Sequence, residues 1–468
     1  MSARSHRGTR IAALALAIAA SSAGTAAADE PVADEPAAAA VVRLTLADLI
    51  ARAQGSQRAQ MVRADRDGAA ARVGEADAAR WAKVTATAFI APSPEIRCVD
   101  DTCIDTDPDE LALKFSGAFG GAQATLTQPL FTFGKLSAVR DAARAGLIAQ
   151  RALVDASAGD LAVDAARAYW GLKLARELRY LLEDGDEQIG KAVKRLDERM
   201  AEGDADVTPQ DRQRVEVLLA EARAQLADAR AGEATALAAV RALAEDGAAD
   251  IDEDPLEALG FEPATDEAAV AHAEGARPEV KAARAGALAA RRLADFEQRQ
   301  YFPDLAAIAS VGITRAQGVD EPPGAFAYDP YNQLSGALAI GLRWTIEPWT
   351  TTAKVKRARA GQRRAEALAK LAVIGAGLDA RTALAEARGA HEKLAAAEAG
   401  EQAAKSWLAA VLQAEAIGTV EAKDLADAYI AWFQMRARVV AAIFQWNVAA
   451  TRIQRAAGEF SAPARGPR

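Results

Sequence analysis

The chain has 468 residues, 51% of them hydrophobic but only 5% aromatic, and a formal net charge of −9. About a quarter is alanine, the strongest helix former but a poor filler of a thick core. Two cysteines and three histidines exclude a disulfide-dense scaffold and a four-cysteine zinc module, and the acidic balance argues against nucleic acid as a partner.

The amino terminus reads as an export signal over residues 1–28. Arg4, Arg7 and Arg10 form a basic n-region, Ile11–Ala20 is unbroken and apolar, and Ala26-Ala27-Ala28 fits the small-residue rule for cleavage before Asp29. The apolar run is too short to span a bilayer as a helix. Residues 1–28 carry those three arginines and no acid, so their removal lowers the formal net charge from −9 to −12. Residues 29–42 (DEPVADEPAAAAVV) follow as a low-complexity tether with little means of packing. No later run of 18 apolar residues occurs. A membrane form of this chain must therefore cross as a β-barrel.

A first repeat is expected over 43–246. Its strands lie at about 82–92 and 111–128, where Leu111, Leu113, Phe115 and Phe119 alternate with Lys114 and Ser116. The loop between them holds Cys98 and Cys103, four residues apart, for which a local disulfide is the default in an exported protein. Its D-x-D-x-D spacing hints at calcium, but Pro108 and a missing glycine depart from an EF-hand loop, so no metal is assigned. A helical hairpin then occupies about 135–246. No proline falls between Pro129 and Pro209, which permits a helix of roughly 100 Å. Val215, Leu219, Ala222, Leu226, Ala229, Ala236, Val240 and Leu243 keep 4-3 spacing, interrupted by Glu233, the seam of a coiled coil.

Residues 247–274 read as an irregular acidic connector. The second repeat, 275–460, is expected to carry strands at about 304–315 and 333–345 and a second hairpin at about 350–458, leaving 461–468 as a tail. Leu334, Leu338, Ile340, Leu342 and Trp344 alternate cleanly with small or polar neighbours. Each strand has the length a tilted strand needs to cross an outer membrane. Bulky aromatics mark the strand–helix junctions: Trp81, Phe131, Phe133, Tyr301, Phe302, Trp344 and Trp349. In a chain with so few aromatics, that clustering suggests an interfacial girdle against lipid.

The halves are copies. Trp81–Val84 aligns with Phe302–Leu305 at a shift of 221, Gln128–Phe131 with Trp344–Glu347 at 216, and Gly203 with Gly418 at 215. No catalytic constellation is expected. Gly117, Gly120 and Gly121 open no helix, and neither a phosphate loop, an H-E-x-x-H pair nor a nucleophile elbow is present. No cofactor is assigned.

In order and spacing these pieces resemble the TolC-like outer-membrane efflux and secretion channels across about residues 43–460. The resemblance rests on Gln128-Pro129-Leu130-Phe131-Thr132-Phe133-Gly134, Arg277-Pro278-Glu279, Tyr301-Phe302-Pro303-Asp304-Leu305, and Ile417-Gly418-Thr419 through Asp424-Leu425-Ala426-Asp427-Ala428. Glu347-Pro348-Trp349 departs from the family's aromatic-glycine turn, and Val420 stands where some members carry a basic gate residue. The family implies a mainly α protein with membrane β: duplicated helix-strand-strand-helix repeats forming a trimeric 12-stranded β-barrel, continued by a long periplasmic α-helical barrel. It implies an outer-membrane exit duct that passively conducts substrates from an inner-membrane transporter and a periplasmic adaptor. Four strands cannot close a barrel alone and an open edge is not tolerated in lipid, which agrees with a homotrimer. The resemblance places adaptor contacts at the hairpin tips (Gly203, Thr208, Gly418, Thr419) and a pore constriction at Asp424 and Asp427. In a trimer those aspartates form a ring that attracts cations and resists closure unless screened. A periplasmic adaptor or a soluble coiled-coil scaffold is the alternative, but neither accounts for repeated membrane-like strands.

Overall fold

A computed structural model describes residues 41–96, 114–203, 208–261, 266–320, 329, 331–416 and 422–460. The expected signal, the tail, Cys98, Cys103, Gly418 and Thr419 lie outside the described residues. Val42–Leu44 (β1), Leu46–Gly55 (α1) and Gln57–Ala78 (α2) lead into two strands, Lys83–Pro94 (β2) and Phe115–Phe131 (β3), and two helices, Lys135–Ala201 (α3) and Pro209–Ala244 (α4). The series then recurs: Ala249–Ile251 (β4), Asp266–Ala276 (α5), Pro278–Arg299 (α6), Asp304–Ala316 (β5), Gln333–Arg343 (β6), Pro348–Ala416 (α7) and Ala422–Ala457 (α8).

The segment expected to be an irregular connector, 247–274, therefore contains the start of the second copy. β4 and α5 hold the places of β1 and α1, and β1 pairs in parallel with β4, Val42 opposite Ala249 and Leu44 opposite Ile251. A three-residue strand is too short to show alternation, and its partner is some two hundred residues away. β3 also runs three residues beyond the expected 128. Pro129 cannot donate to the ladder, but a register shift between Pro129 and Phe131 accommodates it, the bulge position where a strand tolerates proline.

β2, β3, β5 and β6 form one antiparallel sheet in that order, open at both edges. Next to the sheet α2, α3, α6 and α7 lie side by side; farther along, α4, α3, α8 and α7 do so. α3, of 67 residues, and α7, of 69, run through both layers, each roughly 100 Å long at 1.5 Å per residue. Alanine makes the close approach of such helices possible: Ala138, Ala142, Ala145, Ala162, Ala165 and Ala166 of α3 are all buried. The larger apolar residues gather at mid-height. Leu161, Tyr169, Trp170 and Leu172 pack with Leu44, Leu49, Val240 and Ile251, and each fully buried leucine contributes on the order of 2 kcal/mol. A second cluster joins α7 to α8 through Leu384, Leu394, Val439, Trp446 and Ile453.

The strand-to-helix turn before α3 is tight. Phe133 and Gly134 both take positive φ, 50° and 79°. A Cβ on Gly134 would lie 2.8 Å from the Arg299 guanidinium, which donates to the Gly134 carbonyl at 2.5 Å. Lys135 pairs with Asp304 at 2.9 Å. Both contacts tie the first copy to the second where helices meet sheet.

Candidate functional site

The register sorts the strands into two faces. On one face Val84, Leu126, Ala309 and Leu338 fall in line across the sheet, as do Ala86, Ala124, Val311 and Gly336, and Ala88, Ala122, Ile313 and Leu334. Every one is apolar or glycine. On the other face Thr85, Thr125, Ser310 and Ala337 fall in line, and Thr87, Gln123, Gly312 and Ser335 beside them. The apolar face is bare: Leu338 is 82% exposed, Ile90 81% and Leu334 76%. No described helix is long and apolar enough to cross a membrane.

All seven expected girdle aromatics are exposed large hydrophobics, from Phe133 at 39% to Trp349 at 87%, and they stand at the end of the sheet where the long helices begin. Phe131 and Phe133 meet edge to face at 4.7 Å, and Phe133 stacks on Phe302 at 5.4 Å. The Trp344 indole donates to the Tyr301 carbonyl at 3.1 Å, and Tyr301 and Thr352 hydroxyls share a hydrogen bond at 2.8 Å. Exposed rings with their polar atoms bonded suit the boundary between hydrocarbon and headgroups. At the opposite end of the sheet Phe89 and Phe119 meet at 5.1 Å on the polar face. Gly121 makes room for them, since a Cβ there would sit 2.9 Å from the Phe89 ring.

The hairpin ends lie farthest from the sheet. Gly203 closes α3 with φ 82°, and Thr208 opens α4 with a capping box: its hydroxyl accepts from the Asp211 N–H while Asp211 receives the Thr208 N–H. The Thr208 hydroxyl and backbone hold the Asp211 carboxyl below its ordinary value. Removing the cap in Thr208→Ala is expected to accelerate amide exchange in the first turn of α4 by about fivefold with little effect on global melting. Unchanged exchange would show that the cap does not hold this tip.

Asp424 and Asp427 stand in the first two turns of α8, Asp424 exposed and Asp427 partly so. A helix N-terminus favours acids. Asp427 faces Arg214 of α4 at 3.9 Å, a loose, solvent-screened contact across the two hairpins. Just beyond, Leu408, Val411 and Ala428 hold α8 to α7, and a cavity of about 170 Å³ separates the hairpins, lined by Leu196, Leu218, Leu425, Tyr429 and Phe433. The sequence pointed to the aspartates but not to Arg214, which lies in a helix with many solvated arginines and carries no local mark.

Mid-height ion pairs were also absent from the sequence reading. Glu233, the break in the α4 seam, accepts from Arg176 at 3.1 Å and from Arg179 at 2.5 Å, so the interruption itself was the signal. Arg277, buried before α6, pairs with Asp379 at 2.8 Å. Burial raises the Glu279 carboxyl, but its own backbone N–H, Arg455 and Arg277 outweigh that and hold it low. Among the described residues no group of His, Cys, Asp and Glu is placed to hold a metal.

Residues 269–459 match the family model described as outer membrane efflux protein. Among solved structures, the chain resembles the Campylobacter jejuni CmeC outer membrane channel at 15% identity and TM-score 0.73, covering 90% of this chain and 87% of that one. It resembles the outer membrane protein VceC of Vibrio cholerae at 19% and 0.72, covering 89% and 97%. The open-state MtrE outer membrane channel of Neisseria gonorrhoeae gives 20% and 0.70, covering 88% of each chain. The likeness to these structures is one of fold. Among curated proteins none matches this sequence.

Proposed function

We propose that the chain is an outer membrane factor and that three copies form the exit duct of a tripartite efflux or type I secretion system, a reading supported by the outer membrane efflux protein match over residues 269–459 and by the fold it shares with outer membrane channels. The strands sit in the outer membrane and the long helices stand in the periplasm. As a channel protein it is not an enzyme. The observation that carries the proposal is the sheet with one face apolar across its three middle rows, bounded by Gln128 toward the helices and Arg315 toward the loops, and with both edges unpaired. An open edge cannot persist in lipid, and three copies supply twelve strands, enough to close around an aqueous lumen. The α7 side chains Leu371, Ile374 and Leu378, each at least 60% exposed, support a neighbouring copy against that helix. A soluble scaffold or adaptor has no use for such a sheet face.

The duct conducts passively what an inner-membrane transporter delivers. A periplasmic adaptor meets the hairpin tips at Gly203, Thr208, Gly418 and Thr419, and the Cys98–Cys103 loop at the far end closes on a local disulfide. Asp424 and Asp427 from three copies ring the inner mouth, each Asp427 lying loosely beside Arg214 of α4. Planar-bilayer recording tests this reading. The wild type is expected to give cation-selective pores, and Asp424→Ala/Asp427→Ala pores of severalfold higher conductance. Pores indifferent to the substitution would remove the aspartate gate while leaving the channel.

A further inference from the structure

α7 begins directly below the girdle. From Pro348 to Ala365 it carries Lys354, Lys356, Arg357, Arg359, Arg363 and Arg364 and no acid, in a chain whose net charge is −9. All six are exposed, and none is paired with an acid among the described residues; Arg359 donates only to the Gln298 amide oxygen at 3.2 Å. Glu366, the first acid that follows, accepts from Gln362.

Helical spacing divides these cations into two rows. Thr352, Lys356, Arg359 and Arg363 follow one another at four, three and four residues; Lys354, Arg357 and Arg364 occupy the opposite flank, beyond the row of Ala353, Ala360 and Ala367. The first row is fixed relative to the membrane, because the Thr352 hydroxyl at its head bonds Tyr301 of the girdle at 2.8 Å. Lys356, Arg359 and Arg363 lie 7, 10 and 14 residues past Trp349, hence about 10, 15 and 21 Å along the axis. Helical side chains lean toward the N-terminus, here toward the bilayer, and long cationic stems extend that reach. Within the row like charges stand one turn apart, an arrangement that costs stability unless anions lie over it.

We infer that Lys356, Arg359 and Arg363 form a binding row for anionic phospholipid headgroups of the periplasmic leaflet of the outer membrane. This rests on the barrel reading, since only that reading puts α7 under a bilayer. The ligand chemistry is a phosphodiester held at an interface. Three copies place three such rows around the barrel base, where each cation near an anionic surface strengthens attraction by about fivefold.

The test uses the membrane-extracted full-length protein in micelles containing equal phosphatidylglycerol and phosphatidylethanolamine, with retained lipid read by native mass spectrometry. The wild type is expected to keep phosphatidylglycerol severalfold over phosphatidylethanolamine, with the preference fading as salt rises. K356Q/R359Q/R363Q is expected to lose it, whereas K354Q/R357Q/R364Q, with the same change in charge on the other flank, keeps it. Equal loss in both variants, no preference in the wild type, or a preference indifferent to salt would overturn the inference. So would a changed ion selectivity of K356Q/R359Q/R363Q pores with lipid retention intact, which would turn the row toward the lumen. Displacement of the lipid by equimolar inorganic phosphate would reduce the row to a general anion site. A protein recovered from the aqueous fraction would take down the barrel reading as well; a membrane trimer without lipid preference removes only this inference.

Discussion

Leu338→Arg is expected to remove the protein from the outer membrane. Leu338 lies near the middle of β6, is 82% exposed, and sits on the face it shares with Ala309, Leu126 and Val84. An arginine at the midplane of a barrel's lipid face costs about 2–4 kcal/mol, and a trimer meets that cost three times. The neighbouring substitution Ala337→Arg puts the same side chain on the polar face, beside Ser310, and is expected to insert normally. The readout is the amount of each variant recovered as detergent-extracted protein from outer-membrane fractions. Equal recovery of the two would mean that the faces are not lipid and lumen.

The second large effect is expected at mid-height, in Lys173→Met. The Lys173 ammonium, 5% exposed, donates to Asp252 at 2.5 Å and to the Asp254 carbonyl at 2.6 Å, and Asp252 also receives the Tyr169 hydroxyl at 2.5 Å. This network fastens the β4 segment to α3. Removing one partner of such a pair leaves a charge without compensation, for a loss of about 3 kcal/mol, seen as a lowered melting temperature in detergent. Lys173→Met/Asp252→Leu is expected to recover much of it, since no lone charge remains. A single variant that melts with the wild type would show that the pair does not fasten the copies.

The same network sets a direction with pH. Burial raises the Asp252 carboxyl, but hydrogen bonds from Lys173 and Tyr169 outweigh it and hold it below its ordinary value of 3.8. A carboxyl depressed in the folded state contributes stability that is present above its unfolded value and is lost as pH falls through the folded one. Melting temperature is therefore expected to decline below about pH 4, and to decline less in Lys173→Met/Asp252→Leu. Tyr169 runs the other way: burial and the hydrogen bond to Asp252 push its hydroxyl upward, so its contribution is lost only in strong alkali.

The sequence made the strands legible because a sheet with one apolar and one polar face enforces a period of two, as in Leu334 to Leu342. The junction aromatics stood out because aromatics are scarce elsewhere, and all seven are exposed. Long helices followed from the spacing of proline, and the α4 seam from Val215, Leu226 and Val240, all buried. The start of the second copy was not legible, since β4 is defined by pairing with β1 and not by any pattern of its own. Pro129 read as a strand end because proline breaks a ladder, yet a bulge absorbs it. Arg214 and Lys173 could not be singled out at all. Each is one basic residue among many on a long helix, and only the packing of another helix or loop brings Asp427 or Asp252 against it.

Three copies closing one barrel is the claim on which the rest depends, and the most direct measurement is the mass of the native complex extracted from outer membranes in detergent. A single species of three chains that enters lipid bilayers and conducts is the expected result. A well-folded single chain that stays in the aqueous fraction without detergent would contradict it, because the apolar faces of β2 and β6 would then have to be covered by something other than lipid and neighbouring copies.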